Sequence, residues 1–191
     1  MQAIDALLAR RSARALSDPA PDAAALELIF ACAVRAPDHG RLRPWRFLVI
    51  EGAARERFGA LLAHQLRRTH PQSTEESLQR ERAKALRAPL ILVVAAHCQP
   101  LAKIPQVEQL LSAGAAAHAM MLASVALGFG AMWKTGAAAY DAEVKQALGL
   151  EADAAIVGFL YLGTESAPPA AAPAARREWR DLVRHWSGNA D

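Results

Sequence analysis

At 191 residues the chain is long enough for one well-packed domain and short for two. Apolar residues make up 53%, which excludes global disorder. The net charge is only +3, and the arginines that dominate the basic residues are scattered rather than gathered in one stripe. No nucleic-acid footprint is therefore expected. Cys32 and Cys98 are the only cysteines and show neither CxxC nor Cys/His ligand spacing, so no disulfide framework or metal site follows. Both read as buried thiols in a reducing compartment, with a disulfide or a catalytic thiol as the rarer alternative.

Ile4, Leu7 and Leu8 recur at helical spacing, predicting a short first helix that ends near Arg10-Arg11-Ser12. Asp5 and the late Arg pair are in the wrong order for a signal peptide. After Pro19 and Pro21, Asp22 can cap a helix through Leu26, Ile29, Phe30, Ala33 and Val34, which stops before Pro37. A turn-rich loop, Asp38 to Pro44, leads into a buried strand at Trp45–Ile50, closed by Glu51-Gly52. Arg55 to Arg67 is amphipathic, Thr69 to Ser77 is polar and expected to be mobile, and a further helix runs through Leu86. Leu90–Ala95 (LILVVA) is the clearest central strand.

Gln106 to Leu127 reads as a long helix stopped by Gly128-Phe129-Gly130. The apolar stretch Ala113 to Ala131 fits a core helix better than a membrane span, since it holds His118, Ser124 and Gly128 and lacks basic flanks. His118 reads as a hydrogen-bonded core histidine. A short strand, Ala131–Lys134, follows; Asp141 caps a small helix to Leu148, and Ala155–Leu162 is the last strand. Gly52, Gly149 and Gly163 read as turn residues. Ala167–Ala175 is a Pro/Ala linker, and Arg176–Trp186 returns to amphipathic helix with Trp179, Leu182, Val183 and Trp186 on one face. Docking on a partner subunit is one use for that face. The expected architecture is α+β, a central mixed or antiparallel sheet surrounded by helices, with residues 1–166 as the domain and 167–191 as linker and tail. No GxGxxG follows a strand, and Walker, HExxH and GxSxG motifs are missing, so a Rossmann site is unsupported. With no leader or anchor evident, the cytoplasm is the default and no membrane partner is expected.

Four segments carry the chemistry. They are Arg10-Arg11-Ser12; Arg35-Ala36-Pro37-Asp38-His39 continuing to Arg43-Pro44-Trp45; Gly128 through Trp133-Lys134-Thr135-Gly136; and Val157 to Gly163 (VGFLYLG). Their order and spacing, from residue 2 to about 165, resemble the nitroreductase family and its short NAD(P)H nitroreductase branch. The resemblance implies that fold, FMN as cofactor and a homodimer with flavin sites at its interface. It implies that Arg10, Arg11 and Ser12 meet the flavin phosphate and ribityl chain. Arg35 and His39 would reach the flavin from the opposite protomer, and Trp133, Lys134 and Thr135 would pass its reactive edge.

Guanidinium geometry suits phosphate, and Lys134 could stabilise charge on the reduced ring near N1 and O2. Ala123, Ser124, Val125, Ala126, Leu127 and Gly128 lie where the short branch contacts nicotinamide. Taken alone, the same segments also read as a solvated basic helix end, a surface loop, a core strand and an Ala-rich helix end. The loop departs from the commoner family pattern: where that pattern has small hydroxyl residues, Asn and Gln, this chain has Asp38, His39, Arg41 and Arg43.

The implied reaction is a two-half-reaction cycle in which NAD(P)H reduces the flavin and a nitroaromatic, quinone or similar conjugated acceptor reoxidises it. No side-chain nucleophile or metal is required. The same scaffold could instead serve dehydrogenation, dehalogenation or flavin destruction. A non-enzymatic basic binding module is the third reading.

Overall fold

The computed structural model describes residues 2–100, 103–166, 179–186 and 188. In chain order these form α1 (Ala3–Ala9), β1 (Leu16–Ser17), α2 (Ala23–Ala33), β2 (Trp45–Glu51), α3 (Ala54–Thr69), α4 (Glu75–Ala83), β3 (Leu90–Ala96), α5 (Gln106–Ala126), β4 (Gly130–Lys134), α6 (Ala142–Ala147) and β5 (Ala155–Glu165). The sheet runs β1-β5-β3-β2, with β4 also on β5. Every pairing among the described residues is antiparallel, which settles the expected mixed or antiparallel sheet as antiparallel.

Side-chain alternation splits the sheet between two helical layers. Ile91, Val93, Met132, Phe159 and Tyr161 meet Phe58 and Leu62 of α3 and Val144 of α6 on one face. Leu90, Leu92, Val94, Ala131, Leu160 and Leu162 meet Ile29 and Ala33 of α2 and the Ala116–Met121 stretch of α5 on the other. β3 is buried at every position, as its continuous apolar run predicts. α5 is long and apolar enough to cross a membrane by length and composition, yet Ala113, Ala116, Ala117 and Met120 are fully buried against the sheet. The core-helix reading is the one the fold uses.

Helix signals were largely local. Asp22 caps α2 by accepting from Ala25 N–H at 2.8 Å, and Asp141 caps α6 by accepting from Glu143 and Val144 N–H. Thr74 caps α4, so the polar stretch expected to be mobile is helical at its two ends: Thr69 ends α3 and Glu75 opens α4.

Several expectations need correction. β2 is half-buried rather than buried: at the sheet edge it sends Leu48 and Ile50 to one core and Trp45 and Phe47 to the other, but only Ile50 is buried. The two-residue β1 carries no periodicity and was not foreseen. Gly163 does not close the last strand, since β5 continues to Glu165; a Cβ at Gly163 would meet the Pro89 ring at 2.7 Å and the Ser17 carbonyl oxygen at 2.8 Å. The glycine is there for close approach, not for a turn. Gly130 likewise opens β4 rather than ending α5. Cys32 is exposed on the outer side of α2, and only Cys98 is buried. His118 points outward from α5 and is no core histidine. Within the described part of the tail there is one 3-10 turn, Arg180–Leu182, instead of a helix, and Trp179, Leu182, Val183 and Trp186 are exposed. The Ala167–Ala175 linker lies outside the described residues.

Candidate functional site

α1 ends at Ala9, and the chain leaves it as a loop that lies along the sheet. Ala13 N–H donates to the Ala131 carbonyl at 2.9 Å, and Ser166 N–H donates to that of Ala15. These bonds bring the early arginine segment to β4 and the end of β5, which are distant in sequence. Arg11 forms a bidentate pair with Glu165, one arm at 2.6 Å. Its guanidinium therefore has a fixed direction, and the hydrogen bond to Glu165 raises its pKa further. Arg11 and Glu165 line a cavity of about 260 Å³ with Val125, Gly128 and Phe129. Two members of the predicted nicotinamide segment thus share a wall with the predicted phosphate ligand. Ser124 does not contribute its hydroxyl, because it is fully buried and donates to the Met120 carbonyl at 2.8 Å. Arg10 serves as C-cap residue of α1, and Ser12 is exposed beside Arg11.

Lys134 and Trp133 part company at the strand. Trp133 lies over Gly158 on the α5 side, where any Cβ would collide with the indole, and its Nε1–H donates to the Val157 carbonyl at 3.2 Å. Its indole is core packing. Lys134 emerges on the opposite side with Met132, at the junction of two cavities. One, of about 550 Å³, is lined by Ala13, Arg14, Ala15, Leu16, Arg87, Met132 and Lys134. The other, of about 390 Å³, runs from Phe58 and Leu62 across Phe159 and Tyr161 to Lys84, Arg87 and the Lys134–Ala138 segment. The β4 ladder stops at Lys134, so the N–H groups of Thr135 and Gly136 lie beyond its strand pairing.

Charge at this junction is one-sided. Lys84 is neutralised by Glu81 at 2.5 Å, whereas the side chains of Arg14, Arg87 and Lys134 have neither ion pair nor hydrogen bond among the described residues. Tyr161 is 4% exposed, and its hydroxyl has no hydrogen-bond partner there either. Burial pushes it up to about 12, with Arg87 pulling it down and Glu81 up. The phenol stays protonated and is a donor in waiting. Sequence reasoning missed Arg14, Arg87 and Tyr161. Only the alternation that puts Tyr161 on the face of Phe159 and Met132 could have pointed to one of them.

Arg35 and His39 are elsewhere. Both are exposed; His39 Nδ1 pairs with Glu108 in the first turn of α5 at 2.6 Å. The loop around them is held in an unusual backbone path: Gly40, Arg41 and Arg43 all have positive φ (75°, 56° and 48°). Asp38 offsets this by accepting from the N–H groups of Leu42 and Arg43. Gly40 suits this path because its φ of 75° is one that side chains disfavour, and a Cβ there would also push aside the end of the Ile104 side chain. Glu108 and Val125 are separated along α5 by about 25 Å at 1.5 Å per residue. Within one chain, His39 and Arg11 consequently lie at opposite ends of the long helix.

The architecture is α+β, an antiparallel sheet between helical layers with a cation-lined trough along β4, and similarity places it more closely. The profile of the nitroreductase family matches residues 7–164, so the chain belongs to the nitroreductase family. It is 44% identical over 164 residues to the Escherichia coli K12 protein named "Putative NAD(P)H nitroreductase YdjA", covering 86% of this chain and 88% of that one. A nitroreductase-like family protein from Bacillus cereus superposes with a TM-score of 0.83 at 23% identity, covering 98% of this chain and 97% of that one. A "putative nitroreductase" from Desulfovibrio desulfuricans, solved in complex with FMN, gives 0.75 at 25% identity, with 97% of each chain covered.

Proposed function

We propose that this protein is an FMN-dependent oxidoreductase that takes reducing equivalents from NAD(P)H and passes them to a nitroaromatic, quinone or similar conjugated acceptor. Residues 1–166 would form the catalytic domain, 167–191 an attached tail, and the cytoplasm its working compartment. The observation that carries the reading is the pair of adjoining cavities beside β4, lined by Arg14, Arg87 and Lys134, whose side chains have no ion pair or hydrogen bond among the described residues, and by Tyr161. Such a site fits a flat ring that gains negative charge, and polar groups left this exposed to one cavity want an anionic partner. The FMN held by the Desulfovibrio desulfuricans relative supports the choice of ring.

Bound there, FMN would supply a hydride-accepting N5. The chain's own residues would do the rest. Arg10, Arg11 and Ser12 would hold the phosphate and ribityl chain, with Glu165 fixing the direction of Arg11. Lys134 and the N–H groups of Thr135 and Gly136 would face the ring edge; Trp133 would act only through its backbone. Val125 and Gly128 are the members of the Ala123–Gly128 segment best placed for the nicotinamide side.

Arg35 and His39 would reach the same flavin from a second copy. A single chain keeps them at the far end of α5 from Arg11, so one site can use both only if two chains lie with these helices head to tail. Ile4, Leu7 and Leu8 of α1 and Val107, Leu110 and Leu111 of α5 are exposed and supply apolar surface for such a homodimer. An absorption spectrum of the purified protein, followed by anaerobic titration with NADH and NADPH, tests the proposal. Yellow protein bleached by either nicotinamide is expected; protein that stays colourless after incubation with FMN would refute it.

A further inference from the structure

Residues 35–46 hold four arginines against a single acid, Asp38. Arg46 turns back on its own strand, its guanidinium donating to the Arg43 and Trp45 carbonyls at 3.1 and 2.9 Å. Arg41 and Arg43 are exposed, and their side chains have neither ion pair nor hydrogen bond among the described residues. The Asp38 carboxylate accepts from two backbone N–H groups, and the neighbouring Glu108 is paired with His39. Arg41 and Arg43 are also the only non-glycine residues with positive φ among the described residues. Glycine or asparagine would meet that backbone at lower cost, so the turn itself gives no reason for arginine. What the two side chains add is charge.

That charge stands on a fixed support. The Pro44 carbonyl accepts from His97 N–H at 2.7 Å, and the Leu42 carbonyl from the Gln99 side-chain amide at 3.4 Å. Gln99 is held in turn, through its backbone N–H and carbonyl, by the buried Gln109 of α5. Guanidinium groups on an anchored loop lose less freedom on meeting a ligand than groups on a free one.

We infer that Arg41 and Arg43 form an anion clamp that selects conjugated acceptors bearing a carboxylate, sulfonate or phosphate over neutral ones. The inference rests on the flavin reading and on the second copy that brings the loop to the site, since Arg41 and Arg43 arrive there with His39. Planar guanidinium groups match carboxylate and phosphate oxygens two at a time. Because both residues are exposed, each contact is weak. Together they give a selectivity on the order of tenfold, which salt screens. Neither residue passes an electron or a proton; they set which acceptor is held.

The test uses flavin-loaded full-length protein: wild type, Arg41→Asn/Arg43→Asn and Arg41→Lys/Arg43→Lys. Asparagine enters this backbone region more readily than arginine, and both sites are exposed, so the asparagine pair should fold. One readout is kcat/KM for para-nitrobenzoate against its methyl ester, with NADH as donor. The other is the dissociation constant of benzoate against that of methyl benzoate, taken from the perturbed flavin spectrum. Wild type should bind benzoate the more tightly, on the order of tenfold at low salt, and the margin should shrink as potassium chloride is added. The asparagine pair should lower both charged-to-neutral ratios by that factor, and the lysine pair should keep most of them. Yellow wild-type protein without the binding preference, or an asparagine pair that retains it, would overturn the inference. So would a fall in FMN affinity with riboflavin unaffected, or a changed NADPH-to-NADH ratio with the acceptor ratios intact, since either gives the arginines to a cofactor phosphate. Wild-type protein that stays colourless would refute the underlying reading instead, and the clamp with it.

Discussion

Replacing Gly158 by Ala puts a methyl group where the Trp133 indole now lies. The built Cβ falls on Nε1, so the indole must swing away and give up its hydrogen bond to the Val157 carbonyl. Overpacking of this kind costs about 1–3 kcal/mol, and the lost hydrogen bond about 1 kcal/mol. Against these, replacing a strand glycine recovers roughly 0.5–1 kcal/mol of backbone entropy. The net expectation is a destabilisation of about 2 kcal/mol, or a Tm lowered by roughly 4–8 °C for a domain of this size. Differential scanning calorimetry measures it, with near-UV circular dichroism reporting the displaced indole. Trp133→Leu in the same chain removes the colliding atoms, so the double variant should lose less than the sum of its parts. If Gly158→Ala melts with wild type, or the two substitutions simply add, the packing argument for Gly158 is wrong.

Arg11→Ala and His39→Ala proteins should each bind flavin weakly, yet a mixture unfolded and refolded together should regain about a quarter of the wild-type flavin sites if the halves come from different chains; no recovery would place both in one chain or in neither site. Tyr161 sits at about 12 when folded against an ordinary 10.0, so the folded state holds its proton more tightly. Stability should therefore be intact below pH 10 and fall between pH 10 and 12, by on the order of 2–3 kcal/mol at most, a loss that Tyr161→Phe removes in urea titrations across that range. Burial works to raise the Asp141 carboxyl, but hydrogen bonds from Val144 and Glu143 N–H and the Arg68 guanidinium hold it below its ordinary value. Its contribution is present above pH 4 and is lost on acidification. Asp141→Ala should cost about 1 kcal/mol at neutral pH from the cap alone and flatten the acid limb of the stability curve.

Much of this fold was legible because its signals are local. Capping by Asp22 and Asp141, the continuous run of β3 and the long Ala-rich helix each follow from a few adjacent residues. β1 was not legible, since two residues have no period, and neither was the extension of β5 through Gly163, whose role depends on Pro89 and Ser17 lying across from it. Edge position distinguishes β2: its apolar content resembles that of β3, but only pairing order reveals that it has a neighbour on one side alone. At the site, the arginine segment and Lys134 could be nominated from motif order. Glu165 as the partner of Arg11, Glu108 as the partner of His39, and Arg87 beside Tyr161 are contacts between segments far apart in the chain, and no spacing rule announces them. Trp133 is a different case: its place in the motif is legible in the sequence, while only strand alternation shows that its side chain lies on the α5 face, away from Lys134.

The alanines of α5 have a mechanical consequence. With Ala113, Ala116 and Ala117 fully buried, the helix rests on the sheet through methyl groups and leaves no slack for a larger side chain. Enlarging any of them would lift the rod bodily rather than dent it. Because Glu108 anchors the 38–44 loop at one tip and Val125 walls the Arg11 corner at the other, such a lift would disturb two distant places together. Innocuous-looking Ala→Val changes mid-helix are thus expected to behave like lesions at both ends.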